Sequence, residues 1–346
     1  LETYDAYCGD FVITPNTSFD LDWSSNATLQ VFRSMILQQG LNMASGSNAY
    51  LEFKGPDSSY FNPAEVAVKL NINIEKSDTA VLEIRDSLYC SRSLNVYNGG
   101  LLSNGNPMNI NRFNVEDNGD TTWAAVDSSR FEIYGSWNSF NLNSSNIGWS
   151  SDGARLYLTS DRSQARIYTL DTVEHIEFTD ENSLDYNRLT SGQGSHIEFL
   201  KPHANLVFNG STSIDTLILS PDQVYSFDPY NDHIIHDSLR ARGDFCNYIG
   251  MKSTQIGTQA DIYTYHNVGA DFLEIRDLNY AGTGSFYTGA KSNDQGNNTG
   301  FIWDNQPGYV YGFPSDTTEL FCHDSLYTDS LLLTTGNFND AVGFYW

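Results

Sequence analysis

The sequence lacks any stretch with the sustained 3.6-residue apolar period of an amphipathic helix, so a helix-rich fold is excluded. No apolar run approaches the ~20 residues of a membrane-spanning helix, and Leu1 opens on a polar segment without the shape of a signal peptide. The four cysteines, Cys8, Cys90, Cys246 and Cys322, form no CxxC pair and lie far apart. That spacing supports scattered buried thiols rather than a structural zinc site, and leaves one long-range disulfide open. A P-loop, an HExxH helix, a dinucleotide fingerprint and a nucleophile elbow are all missing, which speaks against an enzyme. Basic residues are scarce, 18 against 43 acidic ones, for a net charge of −25. Such a surface repels nucleic-acid phosphates and anionic membranes, favours solubility and can gather divalent cations. It suits the acidic shell of a secreted protein.

What the chain does have is aromatic and turn-forming: 21 Tyr, 20 Phe and 27 Gly, with abundant Ser, Thr and Asn. This is the composition of short strands joined by many turns. Period-two segments such as Leu29–Phe32, Tyr50–Phe53, Val66–Leu70, Phe131–Tyr134 and Leu156–Leu158 read as strands between Gly, Asn, Asp and Ser clusters.

The sequence also repeats itself. Ser77–Tyr89 returns as Ser315–Tyr327 at an offset of 238, with eight of thirteen positions identical, and Leu82-Glu-Ile-Arg-Asp86 recurs as Leu273-Glu-Ile-Arg-Asp277. The offset divides the chain into the end of one unit (1–76), a full unit (77–314) and the start of the next (315–346), with Gln306-Pro-Gly308 as the candidate junction. A shorter step appears as well, since His175-Ile-Glu-Phe178 returns as His196-Ile-Glu-Phe199 after 21 residues. Extended both ways, it traces an apolar ladder through Leu21, Met43, Val66, Leu88, Ile110, Ile133, Leu156, Ile176, Ile197, Ile218, Leu239, Ile262 and Phe286, with gaps of 20 to 24. One turn of a β-solenoid, about three short strands plus turns, fits this step. The expected fold is all-β, a right-handed parallel β-helix of roughly 15 coils and about 70 Å at the usual inter-strand spacing. Tandem β-sandwiches are the alternative, because their strands come at similar intervals.

Residues 214–303 carry a resemblance. The order runs Leu217–Phe227, Ser238–Ser253 around Cys246, Gly257–Ile262, Phe272–Asp277, Ala281–Phe286, Gly289–Ser292 and Asp294–Trp303 with its Gly296-Asn-Asn-Thr-Gly300. It resembles the long repeat of giant secreted cell-surface proteins of Bacteroidetes, the group that includes gliding-motility adhesins. The chain departs from that pattern at Ala241-Arg-Gly-Asp244, at Gly282-Thr-Gly284 and at Phe301, where the family usually has Trp. The match is weaker over Asp86–Phe199 and poor over the first 75 residues. The resemblance implies a β-helix-like module repeated along a surface filament and exported by the type IX pathway. The absent initiator methionine and C-terminal sorting domain fit an internal segment.

Several clusters invite a chemical reading. His233-Ile-Ile-His-Asp237, near Asp232, Arg240 and Arg242, is the densest titratable group, but strand alternation puts His233 and Ile235 on one face and Ile234 and His236 on the other. Arg242-Gly-Asp244 spells the integrin tripeptide and reads as a turn beside a strand. Asp117-Asn-Gly-Asp120 and Asp294-Gln-Gly-Asn-Asn298 resemble parts of calcium loops without the distal Glu, so Asp117, Asp120 and Asp294 are the calcium candidates. Asn297 and Asn298 suit an asparagine ladder between coils. His175 and His196 should stack one coil apart with Glu177 and Glu198 beside them, either as a His–Glu ladder or as a zinc pair lacking a third ligand. Tyr225, Tyr230, Tyr263, Tyr265, Tyr309 and Tyr311 are candidates for a glycan-stacking stripe, or simply strand-filling residues. Asn16, Asn26, Asn143, Asn209 and Asn297 open N-x-Ser/Thr sequons.

These readings converge on a non-catalytic repeat module of a secreted adhesin or surface filament. Its expected partners are neighbouring units of the same polypeptide, surface glycans or other cell-surface proteins, with no nucleic acid and no membrane insertion. No cofactor is expected, calcium being the candidate ion. A secreted β-helix polysaccharide lyase or hydrolase and a glycan-binding module are the alternatives.

Overall fold

A computed structural model describes residues 6–13, 20–23, 26–45, 48–77, 79–118, 122–180, 186–244, 246–289 and 291–303. The chain divides into two units, Leu1–Tyr309 and Val310–Trp346; the described residues all belong to the first. Among them there is no helix, and every strand pairing is parallel. The strands wind into a β-solenoid of about 12 turns, not into tandem sandwiches. At the inter-strand spacing of parallel β-structure this is a stack about 58 Å long.

Each winding visits three faces in turn. Face one runs from Ala6–Cys8 through Thr28–Val31, Tyr50–Gly55 and Asn71–Lys76 to Leu273–Arg276 and Asn293–Asp294. Its inward column reads Leu29, Leu51, Ile72, Leu94, Phe113, Phe140, Ala165, Leu189, Phe208 and Phe227, each opposite the next. Face two stacks Leu82, Leu101, Ala124 and Trp149, and face three stacks Cys90, Ile110, Ile133, Leu158 and Phe178. These side chains fill one continuous apolar interior. Because strand side chains alternate, the period-two sequence is what sends every second residue inward; Tyr50–Gly55 and Arg155–Leu158 show the pattern directly. Aromatic rings thicken the core locally: Phe208 lies parallel to Phe227 at 4.8 Å, and Phe113, Phe131, Phe140 and Trp149 meet within 6.4 Å.

Four successive long strands, Thr172–Phe178, His196–Pro202, Thr212–Leu219 and His233–Ala241, bend across the corner and serve faces two and three together. Their inward residues come in two groups, Val173/Ile176, Ile197/Leu200, Ile214/Leu217 and Ile235/Leu239. Two outward residues separate the groups in the first three strands, whereas three (His236, Asp237, Ser238) do so in the fourth. The extra residue faces Asp215 across a register shift, a β-bulge at the corner.

The winding length varies more than the sequence ladder assumes. Leu94 to Phe113 is 19 residues and Phe113 to Phe140 is 27. The steps Leu21–Met43, Ile110–Ile133 and Leu156–Ile176 are true neighbours. The two His-Ile-Glu-Phe copies are not. Thr172 pairs with His196 and His175 with Phe199, so the second copy sits three residues out of step, and Ile176 stacks on Leu200 rather than Ile197. Ile262 and Phe286 lie on different faces, opposite His233 and Val268 respectively. Stacking also runs without a break through residue 77, since Asn71–Lys76 and Val81–Ile84 both pair with the windings on either side. The second copy of the 13-residue repeat, at 315–327, lies outside the described residues.

Candidate functional site

The corner between faces two and three brings together groups that the sequence scatters over 41 residues. His196 points outward from the start of its strand, directly opposite Thr172 on one neighbour and one residue before the Ile197–Ile214 pair on the other. Ser213 and Asp215 flank inward Ile214 on the next strand, and both are outward and half-buried. His236 comes from the strand beyond, at the bulge, where the extra residue re-aims it.

The distances are those of a connected network. His196 Nδ1 is 3.0 Å from Ser213 Oγ, and Ser213 Oγ is 2.9 Å from His236 Nε2. On its other edge His196 Nε2 lies 3.1 Å from Asp215 Oδ2. The two imidazole centroids are 5.7 Å apart, and Tyr265 stacks over His236 at 5.9 Å. His266 Nδ1 contacts the His236 carbonyl at 3.2 Å, while its Nε2 is buried without a partner. One nitrogen from each of His196 and His236 and one oxygen of Asp215 lie within 4.8 Å of one another. Among the described residues this is the one group of three or more His, Cys, Asp or Glu side chains close enough to share an ion.

The zinc pair of His175 and His196, the alternative to a His–Glu ladder, therefore does not form, because the slip in register separates them. His175 instead bonds Glu177 at 2.7 Å and stacks flat on Phe199 at 4.5 Å. The partner that His196 does find, His236, belongs to the His233–Asp237 segment. That segment is split as alternation requires: His233 is fully buried and His236 is outward. Thr212 donates its hydroxyl proton to His233 Nδ1 at 3.0 Å, and Nε2–H donates to the Asp228 carbonyl at 3.0 Å. Burial pulls the His233 pKa down to about 4, so the imidazole is a neutral core group.

Of the calcium candidates, Asp117 and Asp294 lie on windings far apart. Asp117 accepts hydrogen bonds from Ser144 Oγ at 3.0 Å and Asn146 Nδ2 at 2.9 Å in the adjacent turn. Asp294 accepts from the Gly296 amide at 2.9 Å and from Asn298 Nδ2. Both carboxylates act as turn caps. Asp120 lies outside the described residues. Asp244 of the Arg-Gly-Asp tripeptide turns onto its own loop, accepting from the amides of Cys246 and Asn247. Its Gly243 is required there, since a Cβ would come within 2.6 Å of the Asn247 carbonyl.

An asparagine ladder exists, but on face one. Asn95 Nδ2 donates to Asn73 Oδ1 at 2.9 Å, and Asn114 Nδ2 donates to Asn95 Oδ1 at 2.7 Å. Asn298 instead donates to the Ile275 carbonyl of the winding below. The tyrosines, offered by the sequence as a stripe or as strand-filling residues, differ in placement. Tyr225 is fully buried, its hydroxyl donating to the Pro202 carbonyl and its pKa pushed up by burial, whereas Tyr230 and Tyr265 are exposed and Tyr309 and Tyr311 lie outside the described residues. Cys8 and Cys90 are free thiols, and complete burial pushes Cys90 up to about 12. Cys322 lies outside the described residues.

Comparison with protein-family models, with curated proteins and with solved structures gives no match to this chain.

Proposed function

We propose that this chain is a non-catalytic structural and adhesive module, one link of a long secreted cell-surface filament. The observation that carries the reading is the uninterrupted parallel stacking from Ala6–Cys8 to Phe301–Ile302 around a solid apolar interior. Each winding satisfies the backbone groups of the next, so the element is repeatable along one axis and suited to spanning distance. The repeat of Ser77–Tyr89 at Ser315–Tyr327 supports a polypeptide in which such units follow one another. The strongly acidic composition suits an extracellular, soluble surface.

The parent reading frame tests this. Multiple tandem copies at a spacing near that of the internal repeat are expected, and a single copy beside an export signal contradicts the filament reading. An unsaturated-uronate assay over acidic glycans should detect no turnover; turnover would assign the chain to the polysaccharide lyases instead.

A further inference from the structure

We propose that His196, Asp215 and His236 form a binding site for a divalent transition-metal ion, with zinc the best fit to the donor set. This goes beyond the filament reading and does not depend on it. Two imidazoles and one carboxylate are a borderline-soft, three-donor set of the kind that holds zinc with one coordination position left open. Calcium and magnesium, which require several oxygen donors, fit it poorly.

The geometry supports this assignment in three ways. First, His196 Nε2 and Asp215 Oδ2 are 3.1 Å apart, close to the roughly 3.3 Å that separates two donors on one tetrahedral zinc at bond lengths of about 2.0–2.1 Å. Second, the two histidines sit on strands either side of the one carrying Asp215, so their backbones are about 10 Å apart at parallel-strand spacing. Both rings nevertheless lean over the middle strand to within one ring-width of each other. The bulge makes this possible by adding one residue to the corner of the His236 strand alone. Third, Ser213 Oγ holds His196 at Nδ1, which leaves Nε2 facing Asp215. An oriented imidazole whose second nitrogen is already hydrogen-bonded is the arrangement that metal-ligating histidines use.

Binding puts the ion between His196 Nε2 and Asp215 Oδ2, with the imidazole proton held on Nδ1 and donated to Ser213 Oγ. It draws His236 in by a side-chain rotation that breaks its bond to Ser213. The side chains of His196 and Asp215 are about one-quarter to one-third exposed, at 27% and 30%, so the ion has an open approach. Glu198, opposite Asp215 across the strand pair, and Asp237, next to His236, add negative charge at the entrance. The bound ion ties three successive windings at one corner and keeps a position free for water or an anionic donor.

The test uses the full chain, stripped with chelator, titrated with zinc chloride by calorimetry and with cobalt(II) by visible absorption. One zinc per chain and a tetrahedral cobalt band are expected, together with a rise in melting temperature on zinc addition. His196→Ala and His236→Gln should each weaken binding at least about tenfold, whereas His175→Ala should leave it unchanged. His236→Gln keeps a similar volume at a half-exposed bulge, so its fold is checked by the unchanged melting temperature of the metal-free form. Absence of stoichiometric binding, or binding that survives both ligand substitutions, overturns the proposal.

Discussion

Lys76 is the residue that most clearly departs from what its side chain ordinarily does. It is fully buried, yet it reaches the interior of a turn and donates to the carbonyls of Phe32 at 3.3 Å, Lys54 at 2.8 Å and Asp57 at 3.1 Å. Three ammonium protons meet three carbonyls from two other windings, so the side chain is a crosslink through the corner. Burial pulls its pKa down to about 8, and the nearby Asp57 opposes that shift. Lys76→Met should cost about 3 kcal/mol in urea unfolding at pH 7, because three buried acceptors lose their donor. His233 gives a pH-dependent counterpart. Its folded pKa of about 4 lies below the unfolded value near 6.5, so between these pH values the unfolded chain binds the extra proton. Stability through this group is full above pH 6.5 and is lost as pH falls towards 4, by about 3 kcal/mol. The carboxylates of Asp228, Asp232 and Asp261 nearby oppose the shift without cancelling it. Urea unfolding from pH 7 to 4 should show that slope, and His233→Asn should flatten it.

At the scale of the strand, the sequence announces which residues turn inward but not which winding they meet. Leu82-Glu-Ile-Arg and Leu273-Glu-Ile-Arg both bury Leu and Ile, yet the first lies on face two and the second on face one. The same letters encode an alternation, not an address. His-Ile-Glu-Phe misleads further: the first copy follows the bend and buries both Ile176 and Phe178, whereas the second spans the bend, buries Ile197 and turns Phe199 outward, with register set by the turns between them. The strand alternation and the division of His233 from His236 were readable because each follows from period two, and the parallel solenoid was readable from the return of such strands at steps of 20 to 24 residues. The His196–Asp215–His236 cluster was not, because it depends on a bulge that a single extra outward residue creates. A signal was present nonetheless: apolar residues three apart inside an otherwise period-two segment, as in Ile176 after Val173 or Leu217 after Ile214, mark a bend. The asparagine ladder likewise shows as Asn73, Asn95 and Asn114 at intervals of 22 and 19. Asn95→Ala removes both of its side-chain bonds and should cost about 2 kcal/mol in denaturant unfolding. Phe113→Ala, which opens the aromatic cluster, should cost about 3–5 kcal/mol.

At the scale of the molecule, everything rests on windings that lie one above another along a single axis, since that arrangement gives both the repeatable link and the three-strand corner. Spin labels introduced by a cysteine-independent route report it directly. Tyr7 heads an outward column that passes, one winding at a time, through Gln30, Glu52, Asn73, Asn95, Asn114, Asn141, Arg166, Thr190 and Asn209. Electron–electron distances from a label at Tyr7 to labels at Asn114, Arg166 and Asn209 should rise linearly, near 24, 34 and 43 Å, at about 4.8 Å per winding. Distances that fail to increase along this column would contradict the stacked-winding account.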